Sequence, residues 1–146
     1  MIVLDTNVIS EVFRPSPATA VLGWLERVDG DALFTTAITR GELLFGLLLM
    51  PEGKRRETLL TGLQTIFETR LRDRVLPYDE AAADAHAVIA AHRRRQGRPS
   101  SQSDLMIAGI ARSRGARLAT RNASDFEDCG LELVDPWHST APSRGS

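Results

Sequence analysis

Four carboxylates stand out by residue type and position: Asp5, Glu42, Asp104 and Asp125. Each lies where an apolar segment meets a polar turn, or inside a helix of strong apolar pattern, and together they span nearly the whole chain. In an α/β fold, ligands gather beyond the C-terminal ends of the strands. Acids delivered there from four segments would meet in one pocket. Two unit charges ~4 Å apart repel by about 4 kcal/mol at an effective dielectric of about 20. Such a set therefore requires raised pKa values or bound cations. Oxygen donors without His or Cys beside them select Mg2+ or Mn2+ over zinc. Ions of that kind activate water and stabilise a phosphate undergoing in-line displacement. Asn7 and Thr120 could orient water or ligands as neutral neighbours.

Each acid also has a plain structural reading. Asp5 could cap the helix that follows it. Glu42 stands three residues after Thr39, the capping-box spacing; among its leucine neighbours it would be buried and would need a partner or a metal. Asp104 could simply suit the start of a helix, and Asp125 could belong to an ordinary surface turn. Singly these signals are weak. Their joint placement points to a site.

The elements that must position them read as alternating strands and helices. Ile2 to Leu4 is a short apolar run that suits a buried parallel strand. Further strands are expected at residues 32–35, 75–76, 117–120 and 131–134. Helices are expected at 7–13, 18–28, from Thr39 towards Pro51, at 54–72, from Asp79 to about Arg95, and at 105–114. Asp104 opens the last of these after a polar loop at 100–103. The alternation implies an α/β fold, a parallel sheet of about five strands with helices on both faces.

With flanking residues included, the four acids fall into recognisable motifs. Leu4-Asp5-Thr6-Asn7-Val8-Ile9-Ser10-Glu11 resembles the opening of PIN-domain proteins. Ala37-Ile38-Thr39-Arg40-Gly41-Glu42-Leu43, followed by Gly46, resembles their second motif. Asp104-Leu105-Met106-Ile107-Ala108 is similar to the third, and Thr120-Arg121-Asn122-Ala123-Ser124-Asp125-Phe126 to the fourth. The ending Leu133-Val134-Asp135-Pro136-Trp137-His138 resembles FitB-like members.

The resemblance implies a single PIN domain over residues 1–138, three-layered α/β/α. It implies a VapC-type toxin of a type II toxin–antitoxin pair: an endoribonuclease dependent on Mg2+ or Mn2+. Asp5, Glu42 and Asp104 would then ligate the metal, with Asp125 assisting directly or through water. The implied partners are an RNA substrate, often a tRNA or rRNA loop, and a small antitoxin that blocks the site. Operator DNA would be reached only through the antitoxin, and the toxin would be a homodimer. Two departures are visible. Ser100-Ser101-Gln102-Ser103 replaces an apolar or proline-containing stretch, and some relatives place the fourth acid where Asn122 stands.

Composition fits these expectations. The chain of 146 residues is 42% hydrophobic, 25% charged and of net charge −1, ordinary for a soluble globular protein and not for a strongly basic nucleic-acid binder. Positive charge is carried by 17 arginines and the single Lys54, which reflects either phosphate recognition or a GC-rich genome. Cys129 is the only cysteine, so intramolecular disulfides and Cys-rich zinc sites are excluded. No signal peptide is read at the start, and the apolar run 43–50 is far below membrane-spanning length. A cytoplasmic protein without membrane contact is expected, with a disordered tail over residues 139–146.

Other residues remain open in role. Arg93, Arg94, Arg95 and Arg98 could hold RNA phosphates or form a solvated helix end. Lys54-Arg55-Arg56 reads as an exposed helix start. Arg121 could contact a substrate phosphate or pair with an acid. His86 and His92 lie six apart, not at the i, i+4 spacing of a zinc helix, and His138 reads as a packing feature. Trp24 and Leu25 belong either to the core or to a partner surface. Two other functions compete with the nuclease. Phosphoaspartyl chemistry at Asp5 lacks a second acid two residues on, because Asn7 stands there. A non-catalytic binding module, acting with its antitoxin on DNA, would have no need of all four acids.

Overall fold

Ile2, Val3 and Leu4 form an unbroken apolar run because their strand, β1 (Ile2–Leu4), is covered on both faces. Ile2 and Leu4 join one core with Val8, Ile9, Val21 and Trp24. Val3 joins the other, with Ile107, Ile110 and Leu118. That alternation makes β1 the spine of a three-layer α/β/α arrangement. The computed structural model describes residues 1–139. The tail expected over 139–146 lies, beyond Ser139, outside the described residues.

After β1 come α1 (Thr6–Val12), α2 (Thr19–Arg27), β2 (Leu33–Thr36), α3 (Ala37–Leu48) and α4 (Lys54–Glu68). Then follow β3 (Val75–Leu76), α5 (Glu80–Arg95), α6 (Gln102–Ser113), β4 (Arg117–Ala119) and β5 (Leu133–Val134). The five strands are all parallel, as the alternation predicts, in the order β3-β2-β1-β4-β5. The chain runs outward from β1 to β3, then returns to the far side of β1. This reversal, between β1 and β4, is where an open parallel sheet leaves a crevice at its C-terminal ends. Asp5 follows β1 directly, and Thr120 follows β4.

Several boundaries differ from the sequence reading for local reasons. β2 runs into α3 without a loop, so Thr36, not Thr39, is the N-cap, and its hydroxyl accepts from Thr39 N at 3.0 Å. The Thr39–Glu42 capping box does not form. Likewise Ser101 caps α6 by accepting from Asp104 N at 3.2 Å. The helix thus starts one turn early and Asp104 is its third residue, where the helix dipole still favours an acid. The helix expected over 54–72 stops at Glu68, ahead of a turn through Asp73 at φ 58°. Asp79 caps α5 as expected, accepting from Ala82 N.

α5 and α6 pack so closely that a Cβ on Gly109 would stand 2.6 Å from the Ala82 carbonyl oxygen. Trp24 is fully buried, so it belongs to the core. A cluster of exposed apolar side chains lies instead at the end of α3 and its C-cap, where Phe45 is 64%, Leu48 55% and Leu49 70% exposed. Among the described residues, no helix is long and apolar enough to cross a membrane.

Candidate active site

Asp5 is placed by two neighbouring strands. Its backbone N–H donates to the Ala119 carbonyl at 2.9 Å, continuing the β1–β4 ladder by one residue. Its Oδ1 accepts from Thr6 N and its Oδ2 from Thr120 Oγ1, both at 2.8 Å. Asp5 is therefore a helix N-cap as well as a site candidate, so its two readings coexist. It is only 5% exposed. Burial pushes its pKa up to about 6. The Thr120 and Thr6 hydrogen bonds oppose that shift, and the charges of Asp104 and Glu42 add to it.

Glu42 lies on the sixth residue of α3 and is exposed, against the expectation of burial. Its Oε1 accepts from Thr6 Oγ1 at 2.8 Å, while Thr6 Oγ1 also lies 3.0 Å from Thr39 Oγ1. Thr39 Oγ1 in turn lies 3.3 Å from Thr36 Oγ1, which already accepts from Thr39 N. Each hydroxyl carries a single hydrogen. With that of Thr6 given to Glu42, Thr39 donates to Thr6 and Thr36 to Thr39. The result is a directed chain of three hydroxyls ending on the carboxylate.

Asp104 is half-buried on α6. Burial raises its pKa, contact with Ser101 opposes the rise, and the charges of Asp125 and Glu42 add to it; Arg93 pulls it down. The mutual influence of Asp5, Glu42, Asp104 and Asp125 gathers the four acids into one electrostatic neighbourhood. Asp125 sits exposed on the 3-10 turn Ala123–Phe126, anchored by the buried Phe126. Asn122 begins that turn: its N–H donates to Thr120 Oγ1 at 3.1 Å and its carbonyl accepts from Asp125 N at 3.0 Å. Asn7 Oδ1 accepts from Arg121 N at 3.3 Å. The Arg121 guanidinium lies 5.1 Å from the Trp137 ring, which ties the Pro-Trp-His ending to the fourth motif.

Among the described residues, no three acidic, histidine or cysteine side chains converge tightly enough to close around an ion. The donor set is nonetheless oxygen-only. Mg2+ keeps several waters and takes only one or two protein carboxylates directly, so a spaced set of acids around the buried, charge-crowded Asp5 fits such an ion. The cleft beside Glu42 is lined by Thr6, Phe13, Arg14, Leu47 and Arg55.

The remaining candidates divide by burial, and His138, expected to pack, is instead exposed. Arg93 is buried, with its guanidinium on backbone carbonyls, and Arg98 pairs with Glu127 and Asp128; Arg94 and Arg95 are exposed. His86 Nδ1 lies 2.7 Å from the Tyr78 hydroxyl, and His138 pairs with Asp135 at 2.8 Å. The sequence reading assigned no role to Thr6, although it stands between Asp5 and Asn7. It also missed Glu11, a buried acid held by Ala18 N at 2.8 Å and by Arg14. Glu11 joins α1 to the start of α2 and is satisfied there.

The profile of the PIN domain family matches residues 2–130. The chain is 42% identical to the VapC ribonuclease Y4jK of Sinorhizobium fredii over 137 residues, 94% of this chain and 98% of that one. It is 34% identical to the toxin FitB of Neisseria gonorrhoeae, covering 94% of this chain and 99% of FitB. It superposes on a chain of the solved structure of FitAB bound to an IR36 DNA fragment with a TM-score of 0.91. Identity there is 32%, over 97% of this chain and 99% of that chain.

Proposed function

The chain belongs to the PIN-domain family, and from that premise we propose that it is the ribonuclease toxin of a toxin–antitoxin pair, cleaving RNA with Mg2+ or Mn2+. The observation that carries the proposal is Asp5: a buried carboxylate at the sheet's switch point, raised by burial and by the charges of Asp104 and Glu42. Capping α1 does not call for two further acids beside it, and a buried carboxylate crowded by like charges favours a bound cation. Relatives named as a ribonuclease and a toxin give the reading its class.

Asp5, Glu42 and Asp104 would hold the metal, and Asp125, or Asn122 in its place, would complete the set directly or through water. When bound, the ion supplies an activated water and offsets charge on a phosphodiester attacked in line. The chain's own residues do the rest. Thr6 and Thr120 fix both oxygens of Asp5, and Thr6 also fixes Glu42. Asn7 and Thr120 hold the backbone at Arg121 and Asn122, which sets the turn that carries Asp125. Arg121 is exposed at the rim, where it can meet a substrate phosphate.

A small antitoxin is the proposed partner, with operator DNA reached only through it; a solved relative, FitAB, is bound to DNA. The exposed Phe45, Leu48 and Leu49 support a protein contact, either that antitoxin or a second copy in a homodimer. The chain would act in the cytoplasm. A purely DNA-regulatory, non-catalytic module is the competing reading.

The test is cleavage of total tRNA by the purified chain with Mn2+ or Mg2+, against Asp5→Asn and against excess EDTA. Cleavage lost in both controls is the expected result. Full activity in Asp5→Asn overturns the site, activity persisting in EDTA overturns the metal, and no cleavage of any RNA by the wild type favours the regulatory module.

A further inference from the structure

α5 ends in a turn that folds its last arginines back on one another. Gly97, at φ 70°, donates its N–H to the Arg94 carbonyl at 3.0 Å, and Arg98 N donates to the Arg93 carbonyl at 2.9 Å. This pair of bonds is the Schellman pattern, which needs the left-handed residue that glycine supplies. It brings Arg98 alongside Arg93, whose Nε donates to the Arg98 carbonyl at 3.0 Å.

Both guanidiniums then engage one short segment. Arg93 is 5% exposed and donates to the Glu127 carbonyl. Arg98 donates to the Glu127 carboxylate at 2.9 Å, to Asp128 at 3.2 Å and to the Ser124 carbonyl at 3.4 Å. Ser124 and Glu127 bracket Asp125 on its 3-10 turn. No ion pair fixes the Asp125 carboxylate among the described residues, so the backbone on either side of it sets its position.

We infer that Arg93 and Arg98 form a clasp that positions Asp125 against Asp104, and that they are not RNA phosphate ligands. The inference rests on the proposed nuclease reading and assigns these arginines as positioning residues within it. Arg93 is buried against backbone carbonyls, out of a phosphate's reach, and the charge of Arg98 is already met by two carboxylates. Outer-shell groups that orient metal ligands change metal affinity by roughly 10- to 100-fold when removed.

The experiment compares wild type, Arg98→Ala, Arg98→Lys, Asp125→Asn and the double variant, with total tRNA as substrate and Mn2+ affinity measured separately by calorimetry. Thermal melting checks that each variant folds. Arg98→Ala is expected to weaken Mn2+ binding and lower kcat by about tenfold each while KM is unchanged, and Arg98→Lys to recover part of both. In the Asp125→Asn background, Arg98→Ala should have no further effect. A raised KM with unchanged kcat and a shallower salt dependence would make Arg98 a phosphate contact and overturn the clasp. Equal losses with and without Asp125 overturn it too, as does unchanged Mn2+ affinity. If Asp125→Asn cleaves like wild type while Asp5→Asn is dead, the clasp fails and the nuclease stands. If nothing cleaves, the nuclease reading fails, and the Mn2+ affinities of Arg98→Ala and wild type still decide the clasp.

Discussion

The hydroxyl of Thr120 donates to Asp5 Oδ2 at 2.8 Å, joining residues 115 positions apart in the buried contact that unites the first and fourth motifs. Thr120 Oγ1 also accepts the Asn122 N–H at 3.1 Å. Thr120→Val removes a buried donor and an acceptor together. It should destabilise the protein by about 1–3 kcal/mol and raise the Asp5 pKa further, because Thr120 is the first of the groups holding it down. Thr120→Ser should behave like wild type. Thermal melting and NMR titration of the Asp5 carboxyl check both.

Asp5 should make the metal-free protein less stable as pH rises. Its pKa lies near 6 in the folded chain against an ordinary 3.8, so between those values the folded state binds more protons than the unfolded. Stability therefore falls through that window as pH rises, by roughly 3 kcal/mol in total. In EDTA, Asp5→Asn should be more stable than wild type at pH 7, and the gain should vanish near pH 4. Denaturant melts at the two pH values measure it; a stabilisation independent of pH would contradict the assignment.

The hydroxyl chain Thr36–Thr39–Thr6 makes Glu42 sensitive to a residue it does not touch. Thr39→Val deletes the middle hydroxyl and frees Thr6 to turn. The expected result is a Mn2+ midpoint for cleavage raised by about tenfold, with Thr39→Ser close to wild type. Metal titrations of the three proteins provide the comparison.

Gly109→Ala should loosen the helix pair that carries Asp104. The new Cβ would meet backbone, the Ala82 carbonyl at 2.6 Å, so α5 and α6 must separate. A loss of about 1–3 kcal/mol is expected, read from chemical denaturation.

Much of the fold was legible in short patterns. The three apolar residues of β1, the Asp79 cap and the glycine after α5 each carry their signal locally. The errors arose where two readings shared one pattern. Thr36 and Thr39 are both threonines near a helix start, and only the loopless join of β2 to α3 decides between them. Ser101 to Ser103 read as a polar loop because serines suit turns and caps alike. Glu42 looked buried among leucines, yet α3 turns it to solvent beside Thr6. That contact bridges α1 and α3, and no spacing within either helix announces it. Arg93 was hidden within a run of three arginines, of which the helix turns only the first inward.

The sheet order also sets when the site can exist. β1 is made first, yet one of its neighbours is β4, and Asp5 meets Thr120 only once that late strand docks. Contacts between distant positions close slowly, after the loops between them. A chain still being synthesised therefore holds Asp5 and Glu42 without Thr120, Asp104 or Asp125. Any hydrolysis by the proposed site would therefore wait until the chain has grown past Asp125.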